Sequence, residues 1–298
     1  MGSHWSGTSA GSFYNAEVFD KCRKIQLPET TNMAKGKEYY VFGIDVGRSA
    51  KEGCQTVVSI LKVIPGLGLN VSTKQLVNIV SLNTGEDDGH FERQAIEIKK
   101  LYNKFLPRAI IIDGNGLGVG LVDFLTIVNR DDKTMIEYPA FGVQNDDTGE
   151  YRKRARNQDL ILKDVLYIVK ANPAINDICH TNVLMNMGSE KLEFLGDERV
   201  ARAKLLNTDR GKSMSPEERA EFLLPFNLTS ILKAEMCNLI EKRDGIHIQL
   251  ERSNANIQKD KFSSLEYGLY YIKLFEDDNK KRRKHATIGD MMFFTRGN

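Results

Sequence analysis

Apolar and polar residues alternate or cluster along this chain in ways that mark successive elements. Residues 38–46, "EYYVFGIDV", are rich in β-formers and predict a strand. "TVVSILKVI" (56–64) and "STKQLVNIVSLN" (72–83) predict two more, parted by the turn-like "PGLGLN". Three strands on short connections imply an antiparallel meander. In "FERQAIEIKKLYNKF" (91–105), Phe91, Ala95, Ile98, Leu101, Tyr102 and Phe105 recur at helical spacing. "AIIID" (109–113) is a short apolar run after that helix, the pattern of a parallel strand covered on both faces. A helix over 118–128 and a strand over 134–143 follow.

Further on the pattern becomes more helical. Residues 157–172 suit helix or strand equally. Helix is predicted over 172–187 and strand over 191–195. Ser215 with Pro216 and two acids opens a helix at 215–226, and helix is predicted again over 228–243. "GIHIQLE" reads as strand and 259–278 as a strong final helix. The fold class is therefore α/β, a mixed β-sheet flanked by helices. The first strand lies centrally, beside the strand that follows the first helix. Residues 1–36, polar and rich in glycine and serine at the start, read as a linker, and 37–298 as the folded domain. The opening "MGSH" resembles a tag remnant.

Composition changes this picture little. The chain has 298 residues, 41% hydrophobic and 28% charged, enough for a core without staples. The net charge of +2 permits nucleic-acid binding without arguing for it. Cys22, Cys54, Cys179 and Cys237 have no metal-site spacing and read as reduced thiols. No apolar run reaches membrane-spanning length.

The chemistry sits at two strand ends. "FGIDVGRS" carries Asp45 and "AIIIDGNGLG" carries Asp113, and in the predicted topology both stand at the carboxyl ends of adjacent parallel strands, where sites form. Two close carboxylates repel unless one is protonated or a cation lies between them. A hard divalent ion such as Mg²⁺ or Mn²⁺ suits oxygen donors. Gly114, Gly116 and Gly118 leave room for a ligand's close approach. Holding two ions needs a third carboxylate, and Asp260 in "IQKDKFSSLEYGL" is the candidate. Each aspartate also has a plainer reading: Asp45 as a turn residue, Asp113 and Asp260 as helix caps. Asp123 reads as solvated or capping, Glu266 as off the helical face of Asp260, His247 as a sheet residue, and His90 and His180 as non-ligands.

"YYVFGIDVGRSAKEGCQTVV", "AIIIDGNGLGVGLVDFL" and "QKDKFSSLEYGLYYI" resemble the three acidic motifs of the nuclease domain of phage large terminase subunits. Asp113 to Asp123, Asp-x-x-Gly-x-Gly-x-x-x-x-Asp, is the most specific stretch. The resemblance covers about residues 38–275, and the opening segment resembles the family's link from its ATPase domain. It implies a ribonuclease H-like fold. It implies that Asp45, Asp113 and Asp260 bind two Mg²⁺ or Mn²⁺ ions and hydrolyse double-stranded DNA during genome packaging, in the host cytoplasm. The implied partners are an ATPase domain, the small terminase subunit and the portal protein. No GxxxxGK[ST] phosphate loop occurs in the chain. Glu52 is the one acid where many members carry a further acidic residue after the first motif.

For DNA contact, "YRKRAR" (Arg152, Lys153, Arg154, Arg156) is the best patch. The run 280–285, "KKRRKH", reads as a basic tail, and the segment after it as a candidate portal contact. Three other readings compete: an actin-like kinase or ATPase, a DNA-binding scaffold without catalysis, and a junction-resolving nuclease of the same fold.

Overall fold

The computed structural model describes residues 11–47, 55–66, 72–82, 89–155 and 161–294, with backbone alone for 154, 155, 161–163, 243, 244 and 282–294. The chain begins with α1 (Ala16–Lys21), β1 (Arg23–Ile25), β2 (Tyr39–Asp45), β3 (Thr56–Ile64) and β4 (Thr73–Leu82). Next come α2 (His90–Phe105), β5 (Ala109–Asp113), α3 (Leu117–Leu125), β6 (Asn129–Asp131), β7 (Ile136–Tyr138) and β8 (Ala140–Val143). They lead into α4 (Glu150–Ala155), β9 (Ile161–Val169), α5 (Pro173–Gly188), β10 (Leu192–Leu195), α6 (Glu198–Leu206) and α7 (Asp209–Ser213). The last are α8 (Pro216–Cys237), β11 (Leu239–Asp244), β12 (His247–Arg252) and α9 (Asp260–Phe294).

Eight strands form one sheet in the order β1-β10-β4-β3-β2-β5-β9-β8. The β2-β3-β4 meander is antiparallel. β5 runs parallel to β2, and β9 parallel to β5. This is the mixed α/β sheet that the ribonuclease H-like reading expects, with β2 near its middle.

Successive strand residues point to opposite faces, and the two cores follow that alternation. Tyr40, Phe42, Ile44, Ile110 and Ile112 pack with Ala95, Ile98, Leu121 and Leu125 of α2 and α3. Val41, Ala109 and Ile111 face the other side, toward Val183 of α5, Leu232 of α8 and Leu265 and Tyr267 of α9. Asp45 and Asp113 share the parity of Val41 and Ala109. Both therefore belong to the face that α9 covers.

That helix lies unusually close to β2. A Cβ on Gly43 would sit 1.9 Å from the Ser264 carbonyl oxygen and 2.7 Å from the Gly268 nitrogen, so only glycine fits. Ser59 and Ser264 join their hydroxyls across the same contact at 2.7 Å.

Several elements depart from the sequence expectations. Within 157–172, Ile161–Val169 form β9, paired with β5 on one edge and β8 on the other. The helix expected over 228–243 stops at Cys237, and residues 239–244 instead pair with β12 as a hairpin. The strand expected over 134–143 divides into β7, paired with β6, and β8 at the sheet's edge. Residues 11–36 of the expected linker contribute to the fold: Tyr14, Phe19 and Cys22 are buried in the α9-side core, and β1 joins the sheet. The basic run at 280–285 lies within α9, not in an extended tail. Among the described residues, no helix is long and apolar enough to cross a membrane.

Candidate metal centre

The parallel ladder between β2 and β5 ends at Ile44 opposite Ile112. Asp45 and Asp113 are the next residue on each strand, and neighbouring strands lie about 4.8 Å apart. Asp45 also pairs across β3 with Val57. Two residues before Val57, the Gln55 amide donates to Asp260 Oδ2 at 3.2 Å. The start of α9 is thus held over the β2–β3 end, so that Asp45 has Asp113 on the neighbouring strand and feels the charge of Asp260 from the helix above.

Their charges interact accordingly. Burial pushes the Asp45 carboxyl up to about 8, and the negative charges of Asp260, Glu266 and Asp113 add to the rise, against a smaller pull from Lys259. Asp45 makes no side-chain hydrogen bond among the described residues that would steady its charged form. Burial also raises Asp260, opposed by the Gln55 amide and by Lys261, Arg252 and Lys259.

Neither helix-cap reading survives. The Ser263 amide bonds the Lys259 carbonyl, which makes Lys259 the cap residue of α9 and Asp260 its first helical residue. The open amides of Lys261 and Phe262 donate instead to Glu235 Oε2 of α8, at 2.9 and 3.0 Å. Lys261 Nζ bonds the other oxygen of Glu235 at 3.2 Å. A borrowed carboxylate caps the helix, and Asp260 is left for the site. Likewise α3 begins at Gly116, without a side-chain cap. Asp113 Oδ1 accepts from the Asn115 amide at 3.0 Å, and Oδ2 accepts from the Tyr267 hydroxyl at 3.1 Å.

The glycines after Asp113 mainly serve the chain's own packing. A Cβ on Gly118 would meet the Asp113 carbonyl at 1.6 Å, and one on Gly114 would meet Ile168 at 2.3 Å. Gly116 has φ +57, which favours glycine, with open space around it.

Among the described residues, no three acidic, histidine or cysteine groups are gathered closely enough to enclose an ion. The donor chemistry nevertheless fits a hard divalent cation. All three side chains offer oxygen, and one is driven toward its neutral form by burial and like charge.

Comparison with solved structures finds similarity to the large terminase nuclease from thermophilic phage G20c with bound magnesium. The two are 11% identical over 88% of this chain and 97% of that one, with TM-score 0.45. The HK97 bacteriophage large terminase is 9% identical over 87% of this chain and 43% of its own, with TM-score 0.45. The Thermus phage P74-26 large terminase nuclease domain is 12% identical over 85% and 90%, with TM-score 0.40. At these identities and scores the likeness says nothing of this chain's chemistry. No protein-family model matches the chain, and no curated protein does.

Other side chains singled out in the sequence stand elsewhere. Arg152 pairs with Asp164 at 3.3 Å on α4, at the β8 edge of the sheet, beside exposed Lys153. The Arg154 side chain, Arg156, Glu52 and Cys54 lie outside the described residues. Cys22, Cys179 and Cys237 are free thiols. His247 of β12 faces Asp177 at 3.4 Å.

Three residues near the site escaped the sequence reading. Glu266, set aside as off the face of Asp260, is buried and bonds His180 Nδ1 at 2.8 Å. Its negative charge reaches Asp45. Tyr267 lies seven residues after Asp260, two helical turns on, a spacing that many other residues of a long helix share. Glu235 gave no signal, being 26 and 27 residues from the two amides it caps.

Proposed function

We propose that this chain is a divalent-metal-dependent endonuclease that cuts double-stranded DNA during viral genome packaging. One observation carries the reading. Asp45 and Asp113 end the adjacent parallel strands β2 and β5, the charge of Asp260 at the start of α9 reaches Asp45, and neither Asp113 nor Asp260 caps the helix beside it. Three carboxylates without a cation would repel both one another and a DNA phosphate. A non-catalytic DNA-binding scaffold has no use for such a cluster.

In this reading Asp45, Asp113 and Asp260 hold two ions, Mg²⁺ or Mn²⁺. Bound ions supply an activated water and neutralise charge on the scissile phosphate. The protein's part is placement. Asp45 releases its proton on binding, because a cation reverses the charge environment that raised it. Gln55 and Glu235 keep Asp260 at the mouth of the site. The Asn115 amide steadies Asp113 from its own loop. Arg152, Lys153, Arg154 and Arg156 contact DNA phosphates beyond the cut. The chain would work in the host cytoplasm beside a packaging ATPase domain, the small terminase subunit and the portal.

Cleavage of supercoiled plasmid tests this. The chain should cut with Mn²⁺ or Mg²⁺ and not with EDTA. Asp113→Asn, which keeps shape and removes charge, should lower the rate at least about 100-fold. Equal cutting by both proteins, or none by either, removes the proposal. Preference for branched over linear duplex would transfer the same site to a junction-resolving nuclease.

A further inference from the structure

Tyr267 is only 7% exposed and packs in the core between α9 and the sheet. Its one polar atom is nevertheless spent on Asp113, to whose Oδ2 it donates at 3.1 Å. The other carboxylate oxygen is held by the Asn115 amide, and the Asn115 side chain is itself tied to the Ala171 carbonyl at 3.0 Å. Asp113 is thus gripped from both sides, once by its own loop and once by a helix 154 residues away in sequence.

The grip from α9 is stiff. Gly43 and Gly268 bring the helix backbone against β2, and Ser59 and Ser264 bond across the contact. Tyr271, one helical turn beyond Tyr267, spends its hydroxyl on Gln144 at 2.9 Å and not on Asp113. The ring of Tyr267 has little freedom to follow Asp113 if the carboxylate turns. Groups that hydrogen-bond a metal-binding carboxylate fix its orientation, and losing one usually costs about 10–100-fold in affinity.

We infer that Tyr267 is a positioning residue of the metal centre, which sets the Asp113 carboxylate for an ion that demands strict octahedral geometry. The inference rests on the metal-nuclease reading above. Each Asp113 oxygen keeps one lone-pair direction free while the other is used by Asn115 or Tyr267. Mg²⁺ tolerates misplaced ligands poorly, whereas Ca²⁺ accepts variable number and geometry. Removing the hydroxyl should therefore weaken Mg²⁺ more than Ca²⁺. General loosening of the fold would weaken both alike.

The test is Mn²⁺ binding to the metal-free chain, followed by electron paramagnetic resonance of the free ion, with Mg²⁺ and Ca²⁺ as competitors. Tyr267→Phe keeps the ring. Tyr271→Phe removes a neighbouring hydroxyl from the same helix and controls for loosening. Tyr267→Phe should weaken Mn²⁺ and Mg²⁺ about 10-fold or more and Ca²⁺ several-fold less, while Tyr271→Phe should match the wild type. If the wild type binds Mn²⁺ and Tyr267→Phe binds all three ions equally well, the inference fails and the metal-nuclease reading stands. Parallel losses for all ions in both variants would reduce Tyr267 to a packing residue. If the wild type binds no ion, both fall.

Discussion

Asp45 is the residue on which the electrostatics of this domain turn. Its carboxyl, ordinarily near 3.8, lies near 8 in the fold. The folded chain therefore holds a proton that the unfolded chain has released between those values, so stability falls as pH rises from about 4 to about 8. Metal-free protein should melt lower at pH 8 than at pH 5.5. Asp45→Asn should flatten that part of the profile and raise the melting temperature at pH 8, by about 2–4 °C for each kcal/mol relieved. Calorimetric scans across pH check it. A steep loss in both proteins would place the titrating group elsewhere. Asp45 and Asp113 were legible because one charge interrupts an apolar strand. Tyr267 and Glu266 were not, since an amphipathic helix carries many such residues and only its packing partners distinguish them.

At the level of elements, α9 carries the site, and what holds α9 is not local. Its first amides are capped by Glu235, whose carboxyl burial lifts to about 7 against the pull of Lys261 and the Phe262 amide. Glu235→Ala should cost about 3–5 kcal/mol, because it leaves Lys261 and two amides unpaired inside the protein. Glu235→Gln keeps an acceptor and should lose less, with more of the metal affinity retained. Denaturant titration together with Mn²⁺ binding checks both. Equal losses for the two variants would show that the cap is not what steadies Asp260. The meander, α2 and β5 were readable from period-2 and period-3.6 patterns. The hairpin of β11 and β12 was not, because Leu239–Asp244 continues the apolar spacing of α8 and only pairing with residues 247–252 makes it a strand. Burial of Tyr14, Phe19 and Cys22 was equally hidden, since a short polar-flanked helix reveals nothing of the core it enters.

For the molecule as a whole, an acidic centre lies under α9 and a basic stretch stands at the β8 edge of the same sheet. If DNA spans the two, its affinity should fall steeply with salt. Replacing Arg152 and Lys153 together by alanine should lower the slope of log K against log salt by about 2. An unchanged slope would place the DNA path elsewhere. The central claim is that Asp45, Asp113 and Asp260 form one cation site. Isothermal titration of Mn²⁺ into wild type and Asp45→Asn at pH 7.5, in two buffers of different ionisation enthalpy, addresses it most directly. The wild type should bind and release protons, seen as a buffer-dependent heat, and Asp45→Asn should lose most of both. Unchanged binding by Asp45→Asn, or none by the wild type, would contradict the account.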